Sequence, residues 1–125
     1  MTEAEALETI GIYTANAHTA FTLYLSFTFA YFASAHFVGR DLSRFQVFAA
    51  TGLYVVSAIS GLLGTVANVQ VWGAVASETR TVMDSLPLFD SRLWVLFLST
   101  TMVMGIFLSL YYMWDVRHPK AERRL

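Results

Sequence analysis

Three apolar stretches, each long enough to cross a lipid bilayer, take up most of this 125-residue chain. The clearest runs from Leu93 to Trp114, with no charged side chain and with Trp94 and Trp114 at its two ends. The helical rise between those two rings is about 30 Å, the thickness of a hydrocarbon core. Hydrophobic residues make up 56% of the sequence and charged ones only 14%, against roughly a quarter charged in an ordinary soluble domain. The charges lie at the ends and in two short connections, and the runs between them carry none. This pattern predicts an all-α integral membrane protein: a single membrane domain over residues 1–125, with three transmembrane helices and a short N-terminal amphipathic helix.

The amphipathic helix covers 2–14. Thr2 caps it, Glu5 closes the capping box, and Leu7 and Ile10 follow at helical spacing. It can lie flat on the membrane or extend the first span. Span one is 17–38, span two 45–76 and span three 92–118, with 119–125 as a charged tail. Ser43 is the expected cap of the second span, and Asp90 or Ser91 that of the third. Span two exceeds a perpendicular crossing, which predicts tilt or a protruding end. The opening residues Glu3, Glu5 and Glu8 are acidic, unlike the basic start of a signal peptide, so the first span is expected to remain as an anchor.

Arg40, Arg44, Arg117, Lys120, Arg123 and Arg124 fall on one side of a three-span layout, and only Arg80 and Arg92 on the other. The positive-inside rule then puts the N-terminus outside and the C-terminus in the cytoplasm, the expected setting being a bacterial inner membrane. Tyr111, Tyr112 and Trp114 form the expected cytoplasmic aromatic belt, with Trp72 and Trp94 on the outer side.

Helices in lipid associate through close backbone approach and interhelical hydrogen bonds. Candidate helix-packing or oligomer residues are Ser57, Ser60, Gly61 and Gly64 on span two and Thr101, Gly105 and Ser109 on span three. Span one carries Thr22, Ser26, Ala30 and Ser34 at four-residue steps. Asn68 and Gln70, near the outer end of span two, are candidates for a polar vestibule or a subunit contact, or are simply interfacial.

His18 and His36 are the candidate cofactor ligands. Eighteen residues is five helical turns, so both point the same way, about 27 Å apart along the axis. Haem bound between two histidines needs a partner on another helix, and the third histidine, His118, lies beyond the end of span three. Thr22, Leu25, Phe29 and Phe32 occupy the face between the pair as packing residues. The balance favours interfacial histidines and no cofactor, with haem as the alternative. The five-residue stretch His36-x-x-Gly39-Arg40 resembles the haem-bearing anchors of succinate dehydrogenases. The rest of that signature is not in the chain, so no family is assigned on it.

The chain has no cysteine, which removes disulfides and thiolate chemistry. No span core contains Asp, Glu, Lys or Arg, the residues of proton relays and voltage sensors. The sequence offers no nucleophile–His–acid spacing or phosphate loop, and its basic residues are too few for nucleic acid. No catalytic residue or metal ligand is assigned. The expectation is a non-catalytic membrane protein in contact with the lipid bilayer, acting as a homo-oligomer or as an accessory subunit of a larger membrane complex. The alternatives are an oligomeric channel lined by hydroxyls of span one or two, and a haem- or quinone-associated electron-transfer anchor.

Overall fold

The computed structural model describes residues 2–79 and 91–118. Among these residues the chain forms three helices: α1 (Glu3–Val38), α2 (Arg44–Thr79) and α3 (Ser91–Arg117). Each is long and apolar enough to cross a membrane. The 36 residues of α1 and of α2 give about 54 Å each, and the 27 of α3 about 40 Å, so all exceed a ~30 Å hydrocarbon core.

The cap residues act as their sequence suggests. Thr2 Oγ1 accepts from the Glu5 amide, and the Thr2 amide donates to the Glu5 carboxylate. Ser43 and Gln46 make the same reciprocal pair ahead of α2, at 3.1 and 2.9 Å. The amphipathic segment 2–14 is not a separate element. It continues into span one without a break, because Ala6 and Ile10 are buried on the same stripe that carries the rest of α1. Ile10 packs with Val69, Trp72 and Ala76 of α2, and that contact keeps the first turns in line with the rest of α1. The expected cap position Asp90, the connection around it and the tail lie outside the described residues.

α1 and α2 form an antiparallel hairpin. A Cβ on Gly61 would sit 3.0 Å from Tyr24 Cβ, and one on Gly64 3.3 Å from Ala20 Cβ, so the backbones approach there as closely as glycine permits. α3 runs back alongside both, starting where Ser91 presses on Gly73. The buried positions repeat near 3.5 residues. Ile10, Ala17, Tyr24 and Tyr31 recur every seventh residue on α1, and Met102, Ile106, Ser109 and Met113 step by four, three and four on α3. That is the spacing of a left-handed seam between long helices.

The outward surface is the reverse of a soluble bundle. Phe29, Phe37, Phe45, Phe48 and Leu53 are all more than 70% exposed. Apolar exposure on this scale suits a lipid solvent. Leu25 and Phe29, expected as packing residues between the histidines, belong to this outer surface, as does Thr22; Phe32 is half-buried. Their face lies off the seven-residue stripe that meets α2 and α3.

Candidate functional site

Three features stack along the bundle: a polar hollow at one end, a ladder of hydroxyls in the middle and an apolar cleft towards the other end.

The ladder is built by Tyr24 and Tyr31 of the seven-residue stripe with Tyr54 of α2. Tyr24 donates to the Met102 carbonyl at 2.7 Å. Ser109 donates to the Gly105 carbonyl at 2.7 Å, and Tyr54 donates to Ser109 Oγ at 3.3 Å. Each hydroxyl has one proton, so the 3.0 Å contact between Thr28 and Tyr54 has Thr28 as donor. One rung lower, the Tyr31 and Thr51 hydroxyls meet at 2.9 Å, and the Tyr31 and Tyr54 rings stack at 4.4 Å. This ladder ties all three helices together where apolar burial alone gains little, since lipid tails are as apolar as leucine. It also fixes the fate of two candidate glycines and one serine. Gly61 admits α1, a Cβ on Gly105 would strike the Tyr24 hydroxyl, and Ser109 is fully buried in the ladder.

Depth along the bundle follows from these contacts. Tyr24 meets Met102, which lies about 12 Å along α3 from Trp94 and about 18 Å from Trp114. His18 is six residues before Tyr24, about 9 Å. His36 is twelve after it, about 18 Å. The two histidines therefore sit close to the levels of Trp94 and Trp114.

The polar hollow, about 460 Å³, surrounds His36. Gly39, Arg40, Asp41, Tyr112 and Asp115 line it. His36 Nδ1 is 3.0 Å from the Tyr112 hydroxyl. Beside it Arg117 Nη1 donates to the carbonyls of Gly39 and Leu42, at 2.8 and 2.7 Å. A cation from α3 thus caps the C-terminus of α1, where the helix dipole favours positive charge. His118 is outside this group, its Nδ1 donating to the Trp114 carbonyl at 2.9 Å and its ring stacked on Trp114.

The apolar cleft has a volume of about 440 Å³ and draws on all three helices. Its floor is buried: Thr65, Val69 and Trp72 of α2, with Ala17 of α1. Its rim is open: Thr14 and His18 on one side and Trp94, 39% exposed, on the other. The mouth therefore faces outward between α1 and α3. Trp72, expected in the outer aromatic belt, is instead part of the floor, at 5% exposure. Both threonines turn their protons back to their own helices. Thr14 donates to the Ile10 carbonyl and Thr65 to the Gly61 carbonyl, each at 2.8 Å. The His18 ring makes no hydrogen bond among the described residues, and it is the imidazole on the rim.

His18 and His36 thus stand at two different features. Among the described residues no group of three His, Asp or Glu side chains is placed to hold a metal ion. The other candidates are dispersed. Ser57 is half-buried, Ser60 and Thr101 are exposed, Asn68 donates to the Gly64 carbonyl at 2.7 Å, and Gln70 faces outward. Apart from Ser109 and Trp72, the residues that build the ladder and the cleft floor are ones that motif reading passes over. Their sequence signal is the seven-residue recurrence of Ile10, Ala17, Tyr24 and Tyr31, which marks a buried stripe whatever its chemistry.

Comparison of the chain with family models, with curated proteins and with solved structures gives no match in any of the three.

Proposed function

We propose that this chain is a non-catalytic integral membrane protein that works within an assembly, either of its own copies or as an accessory subunit. In this reading it threads the bacterial inner membrane three times, with its N-terminus outside and its C-terminus in the cytoplasm.

The observation that carries the reading is the outward face of α1. Thr22, Ser26, Ala30 and Ser34 are all exposed, at four-residue steps along one line. Ser26 and Ser34 turn their hydroxyl protons back to the Thr22 and Ala30 carbonyls, at 2.9 Å each. A smooth, shallow face of this kind lets a second helix approach closely. Gly61, Gly64, Gly105 and Ser109 are used inside the protomer, whereas this line of α1 is not covered by α2 or α3.

The test is native mass measurement after extraction in mild detergent, with an absorption spectrum of the same sample. The expected result is a defined multimer or a stoichiometric partner, lost in the double variant Ser26→Leu, Ala30→Leu. A strictly monomeric chain without partners would sink the proposal. The same exposed hydroxyls would line a path if several copies surrounded one, so ion flux into liposomes from the purified multimer favours the channel form. A Soret band lost in His36→Ala favours the haem-bearing form.

A further inference from the structure

We infer that the apolar cleft is a specific lipid site, holding one acyl chain of an outer-leaflet diester lipid with an ester carbonyl hydrogen-bonded to His18. The inference rests on the membrane setting proposed above but not on assembly.

Three observations converge on that ligand. The lining is almost wholly apolar, and the open rim faces the direction that lipid would occupy, between α1 and α3. A cleft of this volume open to a bilayer is filled by the surrounding hydrocarbon, because leaving it unfilled forfeits the dispersion contacts of every lining atom. The second observation is the distribution of donors. On the α1 rim and the floor the Thr14 and Thr65 protons are spent on backbone carbonyls, so on the α1 side the imidazole of His18 is the donor that a ligand oxygen meets, across the mouth from the Trp94 indole. The third is depth. His18 lies about 3 Å on the core side of the Trp94 level, by the helical rise from the Tyr24–Met102 contact. Indole rings mark the headgroup boundary of a membrane. Just below that boundary a phospholipid presents ester carbonyls, which accept hydrogen bonds and do not donate them. An acyl chain on the floor and an ester at the rim match the cleft from end to end.

The chemistry predicts a preference for ester-linked over ether-linked lipid, because a diether analogue keeps the chains and loses the carbonyls. The experiment uses the full chain in phosphatidylglycerol nanodiscs, with Trp114→Phe removing the tryptophan remote from the cleft. Fluorescence of the remaining Trp72 and Trp94 is then titrated with brominated diester or brominated diether phosphatidylglycerol. The expected result is saturable quenching, with the diester half-saturating at a ratio of brominated to host lipid roughly three- to tenfold lower than the diether, the worth of one hydrogen bond. His18→Ala brings the two curves together, and His18→Gln, which keeps an N–H donor, retains a gap. Thr14→Phe, a bulky group on the exposed rim, removes the saturable component for both lipids. Coincident ester and ether curves in the protein with His18 intact would overturn the inference, as would a gap that survives His18→Ala. So would a co-purifying ring compound that brominated lipid cannot displace. A chain that does not enter nanodiscs speaks against the membrane setting instead, which keeps the two failures distinct.

Discussion

At the scale of the residue, tyrosine hydroxyls do what apolar side chains cannot do in lipid. Tyr54 both accepts from Thr28 and donates to Ser109, so Tyr54→Phe removes two interhelical bonds at once while keeping the ring stacked on Tyr31. Bonds of this kind average about 0.6 kcal/mol within membranes and reach about 1.7. The expected loss is therefore about 1–2 kcal/mol, read as a shift in the unfolding midpoint in mixed detergent micelles. Tyr111→Phe, at an exposed hydroxyl, is the control; equal shifts for the two variants would refute the ladder's role. In the sequence Tyr24 and Tyr31 are legible as members of a seven-residue recurrence, and Tyr54 only as an aromatic residue of the second span. That they form one network depends on α2 running antiparallel to α1, which brings Tyr54 level with Thr28 and Tyr31, and no local pattern encodes that.

At the scale of the element, the bundle depends on where glycine is needed and where it is not. On Gly105 a Cβ would collide with the Tyr24 hydroxyl, whereas around Gly11 nothing lies within 4 Å of one. Gly105→Ala should destabilise the bundle by displacing Tyr24 from the Met102 carbonyl. Gly11→Ala should stabilise α1 by up to about 1 kcal/mol, through helix propensity alone. Opposite signs in the same unfolding assay are the check. Arg117 works at the same scale. Two carbonyls at the α1–α2 turn depend on its guanidinium, and charged hydrogen bonds are worth about 1.5–3 kcal/mol. Arg117→Gln should speed amide exchange at residues 39–43 while leaving exchange around Met102 and Ile106 unchanged. Unchanged exchange at the turn would show that the clamp carries no load. The caps at Thr2 and Ser43 were legible in the sequence because a capping box is a local motif. The Arg117 clamp was not, since it joins residues 75 and 78 apart. Nor was the uninterrupted α1, where the packing of Ile10 with Trp72 and Ala76 joins residues 2–14 to the rest of the helix.

At the scale of the whole molecule, the described residues present a smooth line on α1, an apolar cleft and a polar hollow towards opposite ends, and an outer surface of phenylalanine and leucine. The proposed orientation is simple to test, because the chain has no cysteine of its own. Single cysteines replacing Thr2 and His118 should react with a membrane-impermeant maleimide from opposite sides. Labelling of both from one side would reject the layout. The sequence by itself determined the three apolar stretches long enough to cross a bilayer, because hydropathy is a sum over neighbours along the chain and needs no knowledge of what lies beside it. Only the tertiary structure decided which small residues are consumed inside the bundle and which remain outside. Gly61 and Ser26 sit in equally plausible four-residue patterns, yet one packs on Tyr24 and the other is exposed. The physical reason is that a helix presents every side of itself to a lipid solvent at little cost, so composition cannot select its buried face. Partner helices select it, by where tyrosine hydroxyls find acceptors and where backbones come close.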